Sequence, residues 1–101
     1  METDDLLRPD VLHFALAMEK KLREHDRDRG GWKGCDIDWL FWRLQEEIKE
    51  LEDELEDGHP DKESIDVGNF GMMIHSNTAK TTIEGLKKEL RQRGDDVWKP
   101  M

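Results

Sequence analysis

Apolar positions recur along this chain at helical spacing, in four stretches separated by glycine, proline and charge. Pro9 suits a first helical turn, and Val11, Ala15, Met18 and Leu22 then return on one face with Leu12 and Leu16 beside them. A first helix from about Pro9 to His25 is predicted. The following run DRDRGGWKG carries too much charge and glycine to continue it. This loop ends where Asp36 or Asp38 can cap a second helix.

The second helix has the cleanest periodicity. Ile37, Phe41, Leu44, Ile48, Leu51 and Leu55 step by four and three in alternation, a narrow seam for packing against other helices. Trp39 and Trp42 point away from that seam, so the first two turns are apolar all round and call for cover on a second side, by a subunit interface or a base pocket. Gly58, His59 and Pro60 end the second helix and open a third near Asp61. On the third, Glu63, Asp66, Asn69, Phe70 and Met73 share a face, while Ile65 and Met72 lie on another. Gly68 and Gly71 each cost roughly 1 kcal/mol relative to alanine inside a helix, which fits a neighbouring backbone packed close at both. Thr81 with Glu84 makes a capping-box pattern, Ile83, Leu86 and Leu90 give a short fourth helix stopped by Gly94, and Asp95 to Met101 reads as a tail. The expected fold is all-α, a four-helix bundle forming one domain over residues 1–101.

Composition narrows what such a bundle can do. With 16 Lys+Arg against 25 Asp+Glu, the formal charge is -9, a field that repels a polyphosphate backbone. Nucleic acid is not an expected partner. A small phosphorylated substrate is repelled too, unless divalent cations bridge it to the protein. The single cysteine, Cys35, excludes an internal disulfide and leaves too few thiols for a structural zinc site. His13, His25, His59 and His75 form no zinc spacing, and GGWKG lacks the spacing of a phosphate-binding P-loop. No apolar run reaches the roughly 20 residues of a membrane span. METDDLL has no signal-peptide pattern, so the expected localisation is cytoplasmic, with no membrane partner.

The acidic residues fall in two helical bursts, EEIKE with Glu46, Glu47 and Glu50, and ESID with Glu63 and Asp66. Residues three or four apart share a helix face, so Glu47 with Glu50 and Glu63 with Asp66 are two projecting pairs. Glu47 sits on the shoulder of the apolar seam, Glu50 further round and Glu46 nearly opposite. Asp66 and Asn69 border Phe70 and Met73 and need partners there. Unbridged carboxylates in such a cluster repel and some must take up protons. The pairs are not level: taking 1.5 Å of rise per residue from the turn at Gly58, Glu47 and Glu50 centre about 14 Å along one helix and Glu63 and Asp66 about 7 Å along the other. Side-chain reach, a tilted crossing or an earlier end to the second helix must close that gap.

The pattern E-E-x-x-E, a spacer of twelve residues, then E-x-x-D-x-x-N completed by Asn69 resembles the signature of the all-α NTP pyrophosphohydrolases, the superfamily of MazG-type proteins, dimeric dUTPases and phosphoribosyl-ATP pyrophosphohydrolase. The resemblance covers about Trp39 to His75. It implies a MazG-like bundle completed by association into a homodimer or homotetramer, and a Mg2+-dependent, or Mn2+-dependent, hydrolysis of a nucleoside triphosphate to the monophosphate and pyrophosphate. By the same resemblance Glu47, Glu50, Glu63 and Asp66 are metal ligands, and Glu46 assists a ligand or orients the attacking water as general base. Asn69 contacts sugar or a metal-bound water. Magnesium favours a near-octahedral oxygen shell that keeps waters or phosphates beside one or two carboxylates, so four carboxylates suit two or more ions. Outside the signature, Trp32 can stack on a nucleobase and Lys33 can meet phosphate. Lys80, Lys87, Lys88, Arg91 and Arg93 are either further phosphate partners or a solvated helix face. Two alternatives stay open: an acidic helical interaction module, a nucleic-acid mimic among its forms, whose carboxylates are surface decoration, and the same chemistry on phosphoribosyl-ATP or another pyrophosphate-containing metabolite.

Overall fold

A computed structural model of the chain describes residues 6–26 and 31–93. Among these the structure is all-helical: α1 Pro9–His25, α2 Ile37–Asp57, α3 Pro60–Thr78 and α4 Ile83–Arg93. The helix ends follow local chemistry. Pro9 and Pro60 occupy first-turn positions, where a missing N–H has no helical partner to lose. Asp36 caps α2, its carboxylate accepting from Asp38 N at 3.1 Å. Gly58 stops α2 in the left-handed conformation at φ 110, donating its N–H to Glu54 O at 2.8 Å. At α4 the cap is Thr82, one residue later than the expected Thr81: its hydroxyl accepts from Gly85 N at 3.0 Å, two positions beyond the first helical residue, Ile83. Gly94 and the stretch read as a tail lie outside the described residues, as do Arg27 to Gly30 of the first loop. No helix among the described residues is long and apolar enough to cross a membrane.

The short turn at Gly58 and His59 folds α2 and α3 into an antiparallel hairpin, and α1 lies across α3. Phe14 fixes that crossing. Its ring tip lies 2.6 Å from where a Cβ on Gly68 would be, so α1 approaches through the space the missing side chain leaves. Gly71, expected to act likewise, has nothing within 4 Å of its Cβ position. α4 packs little against the other helices.

The face of α2 that meets α3 is turned away from the centre of the apolar seam and takes only one edge of it. Leu40 and Glu47 are buried, and Arg43 and Glu54 are half-buried with Leu44 and Leu51, whereas Phe41, Ile48 and Leu55 stand exposed beside Trp39 and Trp42. Periodicity locates an apolar stripe; it does not say which edge of the stripe the chain's own helices cover. Among the described residues the buried apolar side chains are Leu40 and Phe70 alone, and they share the interior with two polar ones, Glu47 and Asn69. Such an interior is small for a chain of 101 residues.

Candidate functional site

The α2–α3 hairpin brings Glu47, Glu50 and Glu63 together, with one carboxylate oxygen from each lying within 4.8 Å of the others. α2 runs through to Asp57, so the levels of the two pairs are reconciled by side-chain reach and helix crossing, not by an early end. Asp66 is outside this trio but close enough for its charge to act on both Glu47 and Glu63. It is half-buried and paired with Lys21 Nζ of α1 at 3.9 Å.

Glu47 is the centre of the group, 6% exposed. Arg43, one turn earlier on α2, donates from Nη1 to Glu46 and from Nη2 to Glu47 Oε1 at 3.1 Å. Its guanidinium carbon also sits 5.0 Å from the centre of the Phe70 ring, stacking the cation on the α3 face. Glu46 thus faces Arg43 and does not join the trio. The remaining oxygen of Glu47, Oε2, is buried with no hydrogen-bond partner, and so is Glu63 Oε2.

These orphaned oxygens explain the electrostatics. Burial pushes the Glu47 carboxyl up to about 7, with the neighbouring Glu50 carboxyl and the charge of Asp66 adding to the shift and Arg43 opposing it. Glu63 is raised for the same reasons, desolvation first, then the charges of Asp66, Glu50 and Glu54. Three acidic groups at this separation cannot all ionise cheaply without a cation between them. Buried acceptor oxygens without donors, on carboxylates that converge, fit a hard divalent cation and its oxygen-only preference.

Beside the carboxylates lies a cavity of about 480 Å³, within the range of small-molecule sites. Trp32, Trp39, Leu40, Phe70 and Met73 give it apolar and aromatic walls, and Arg43, Lys21, Asp66 and Asn69 are shared between the cavity and the acidic side. Asn69 is 4% exposed; its Nδ2 donates to Met18 O at 3.5 Å, and its Oδ1 has no partner. Trp32 reaches the cavity because its loop is closed by a turn and tied to α3 at the Trp32 carbonyl. Cys35 N donates to Trp32 O at 3.0 Å across a turn in which Gly34 takes φ 82, and Asn77 Nδ2 of α3 donates to the same carbonyl at 3.1 Å. Trp32 Nε1 is buried without a partner. Lys33, from the same loop, is exposed and is not part of the cavity wall. Lys80, Lys88 and Arg91 are exposed as well, away from the site.

No known family, curated protein or solved structure matches the chain.

Three participants escape the motif. Arg43 was open to sequence reasoning, since it stands three and four residues before Glu46 and Glu47. Glu54, whose Oε2 is buried without a partner and whose charge acts on Glu63, continues the Glu47 and Glu50 face by one more turn. Asn77 continues the Asn69 face by eight residues, but its partner is 45 residues away in sequence, and no local signal reveals that.

Proposed function

We propose that this chain is a Mg2+-dependent nucleoside triphosphate pyrophosphohydrolase, releasing the monophosphate and pyrophosphate, as its two acidic bursts resemble. The observation that carries the reading is the convergence of Glu47, Glu50 and Glu63 on one point, with buried oxygens that lack donors, beside an aromatic-walled cavity. Surface decoration does not account for a glutamate that is 6% exposed. The metal would be held by Glu47, Glu50 and Glu63, with Asp66 joining by turning from Lys21. Bound there, Mg2+ supplies charge neutralisation for the triphosphate and activation of the attacking water.

The chain's own side chains do the rest. Arg43 holds Glu47 by one oxygen, presenting the other inward. Glu46, bonded to the same guanidinium, steadies that arrangement. The cavity takes the nucleobase between Trp32 and Phe70 and shields it from water. Asn69, fixed through Nδ2 to α1, keeps its carbonyl oxygen free for the sugar. A second copy of the chain covers the exposed side chains of Trp39, Phe41, Trp42, Ile48 and Leu55, giving the small interior the cover it lacks.

The test is a panel of (d)NTPs assayed for pyrophosphate with Mg2+ or Mn2+. Turnover that yields pyrophosphate and stops on chelation is expected. Release of orthophosphate alone, or no turnover across the panel with either metal, would sink the assignment.

A further inference from the structure

The cavity and the carboxylates share a boundary, and the permanent cations among the cavity-lining residues both stand on it. Arg43 is tied to Glu46 and Glu47 on α2, and Lys21 to Asp66 on α3. A ligand whose ring fills the aromatic end and whose charged end reaches the metal ligands must cross between these two side chains.

Arg43 is equipped for more than holding its glutamates. A guanidinium has five N–H donors, and two are committed here, one to Glu46 and one to Glu47, so three remain. Its bonds to the two glutamates and its place over the Phe70 ring restrain the group, as bidentate recognition of a phosphate requires. Lys21 is held more loosely, at 3.9 Å from its carboxylate with a side chain 37% exposed, and its ammonium is free to swing. In a protein of net charge -9, an anion entering here meets repulsion from most of the surface, and these are the cations placed to offset it.

We infer that Arg43, assisted by Lys21, is the protein's own contact for the phosphate nearest the ring of the bound nucleotide. The inference rests on the nucleotide reading above and adds to it a phosphate contact that does not depend on metal. It divides the work of binding: divalent cations carry the distal phosphates, while Arg43 carries the proximal one and so retains a monophosphate after pyrophosphate has left.

The experiment compares each common 2′-deoxynucleoside with its 5′-monophosphate, titrated in excess chelator so that no cation can bridge, using calorimetry and the fluorescence of the tryptophans lining the cavity. For the wild type, the best-bound monophosphate should exceed its nucleoside in affinity by about tenfold, the scale of one charge-assisted hydrogen-bonded contact. Arg43→Met should reduce that advantage, read as the ratio of the two affinities, to within about twofold. Arg43→Lys should keep an intermediate advantage, Lys21→Met should lose part of it, and circular dichroism should show all three folded. The inference is overturned if Arg43→Met retains the full advantage. It is equally overturned if Arg43→Met weakens nucleoside and monophosphate alike, since Arg43 then shapes the cavity without touching phosphate. A wild type that binds neither nucleoside nor monophosphate in chelator overturns the inference as well. All of these outcomes leave the nucleotide reading to the metal-dependent turnover panel, so the two fail separately.

Discussion

Arg43 and Glu47 are joined through one oxygen only: Nη2 donates to Oε1 at 3.1 Å, and Oε2 is left buried without a partner. An ion pair that used both oxygens would make Glu47 a structural residue. This one orients the carboxylate and leaves half of its acceptor capacity unspent, on a side chain that converges with Glu50 and Glu63, where a cation can use it.

Removal of ligand charge with retention of shape should therefore abolish activity without unfolding the chain. Glu47→Gln, Glu50→Gln, Glu63→Gln and Asp66→Asn should each lower kcat/KM by orders of magnitude, with helical content unchanged by circular dichroism. Asp53→Asn, an exposed position on α2, is the control and should be nearly silent. Equal damage from Asp53→Asn and Glu50→Gln would show that the face of α2 assigned to the metal is wrong.

The raised Glu47 carboxyl makes the metal-free protein sensitive to pH. Its pKa moves from 4.5 in the unfolded chain to about 7 in the folded one, so protonation favours the folded state. That contribution is complete below pH 4.5 and is lost as pH climbs through about 7, amounting to at most about 3 kcal/mol. In chelator, Tm should fall between pH 6 and pH 8.5. Glu47→Gln, which carries no charge at either pH, should flatten the fall and melt higher than wild type at pH 8.5. Excess Mg2+ at pH 8.5 should restore the wild type and leave Glu47→Gln little changed. A wild-type Tm independent of pH over this interval, with chelator present, would mean that the three carboxylates do not repel one another as their geometry requires.

Much of this site was open to inspection along the chain, and what was not has a consistent cause. The helix ends at Pro9, Gly58 and Pro60 were legible because each is decided by one residue's backbone chemistry, and the start of α2 was legible to within the choice of Asp36 or Asp38 as its cap. The convergence of Glu47, Glu50 and Glu63 was legible because their spacing fixes a face on each of two adjacent helices. The rotation of α2 was not. Its most regular stripe includes Phe41, Ile48 and Leu55, which the chain leaves exposed, while the interior takes Leu40 and the charged Glu47. Hydrophobic periodicity cannot separate a stripe buried within one chain from one left for another surface. The cavity was hidden for a different reason: Trp32 and Asn77 meet across 45 residues, and only the crossing of α1 and α3 brings Lys21 to Asp66.

The two glycines of α3 give a test of that crossing. A methyl at Gly71 meets nothing within 4 Å, so Gly71→Ala should gain the helix-propensity difference and stabilise by about 0.5–1 kcal/mol. At Gly68 the same methyl would lie 2.6 Å from the Phe14 ring, and the ring must move. Gly68→Ala should forfeit that gain and destabilise relative to Gly71→Ala by about 1–3 kcal/mol, measured by urea denaturation. The double variant Phe14→Ala with Gly68→Ala should show recovery beyond the sum of the two single changes. Additive single changes would mean that Phe14 does not rest on Gly68.

The exposed apolar side of α2 bears on assembly. Phe41, Ile48 and Leu55 form an exposed stripe along the helix, at 53%, 46% and 67%, and Trp39 and Trp42 add exposed apolar surface on other sides of its first turns, at 49% and 54%. With so few buried apolar side chains among the described residues, such a stripe is not usually left in water. A second copy, meeting the first along this helix, would bury both stripes at once through a self-complementary contact. Static light scattering should therefore give a dimer or tetramer at micromolar concentration, and Trp39→Glu with Trp42→Glu should shift it toward monomer. Because Trp39 also lines the cavity, Ile48→Glu with Leu55→Glu is the companion variant: it should dissociate the assembly without touching the cavity wall. A monomeric wild type refutes the interface outright, and an assembly unchanged in both variants moves it to another face of the molecule.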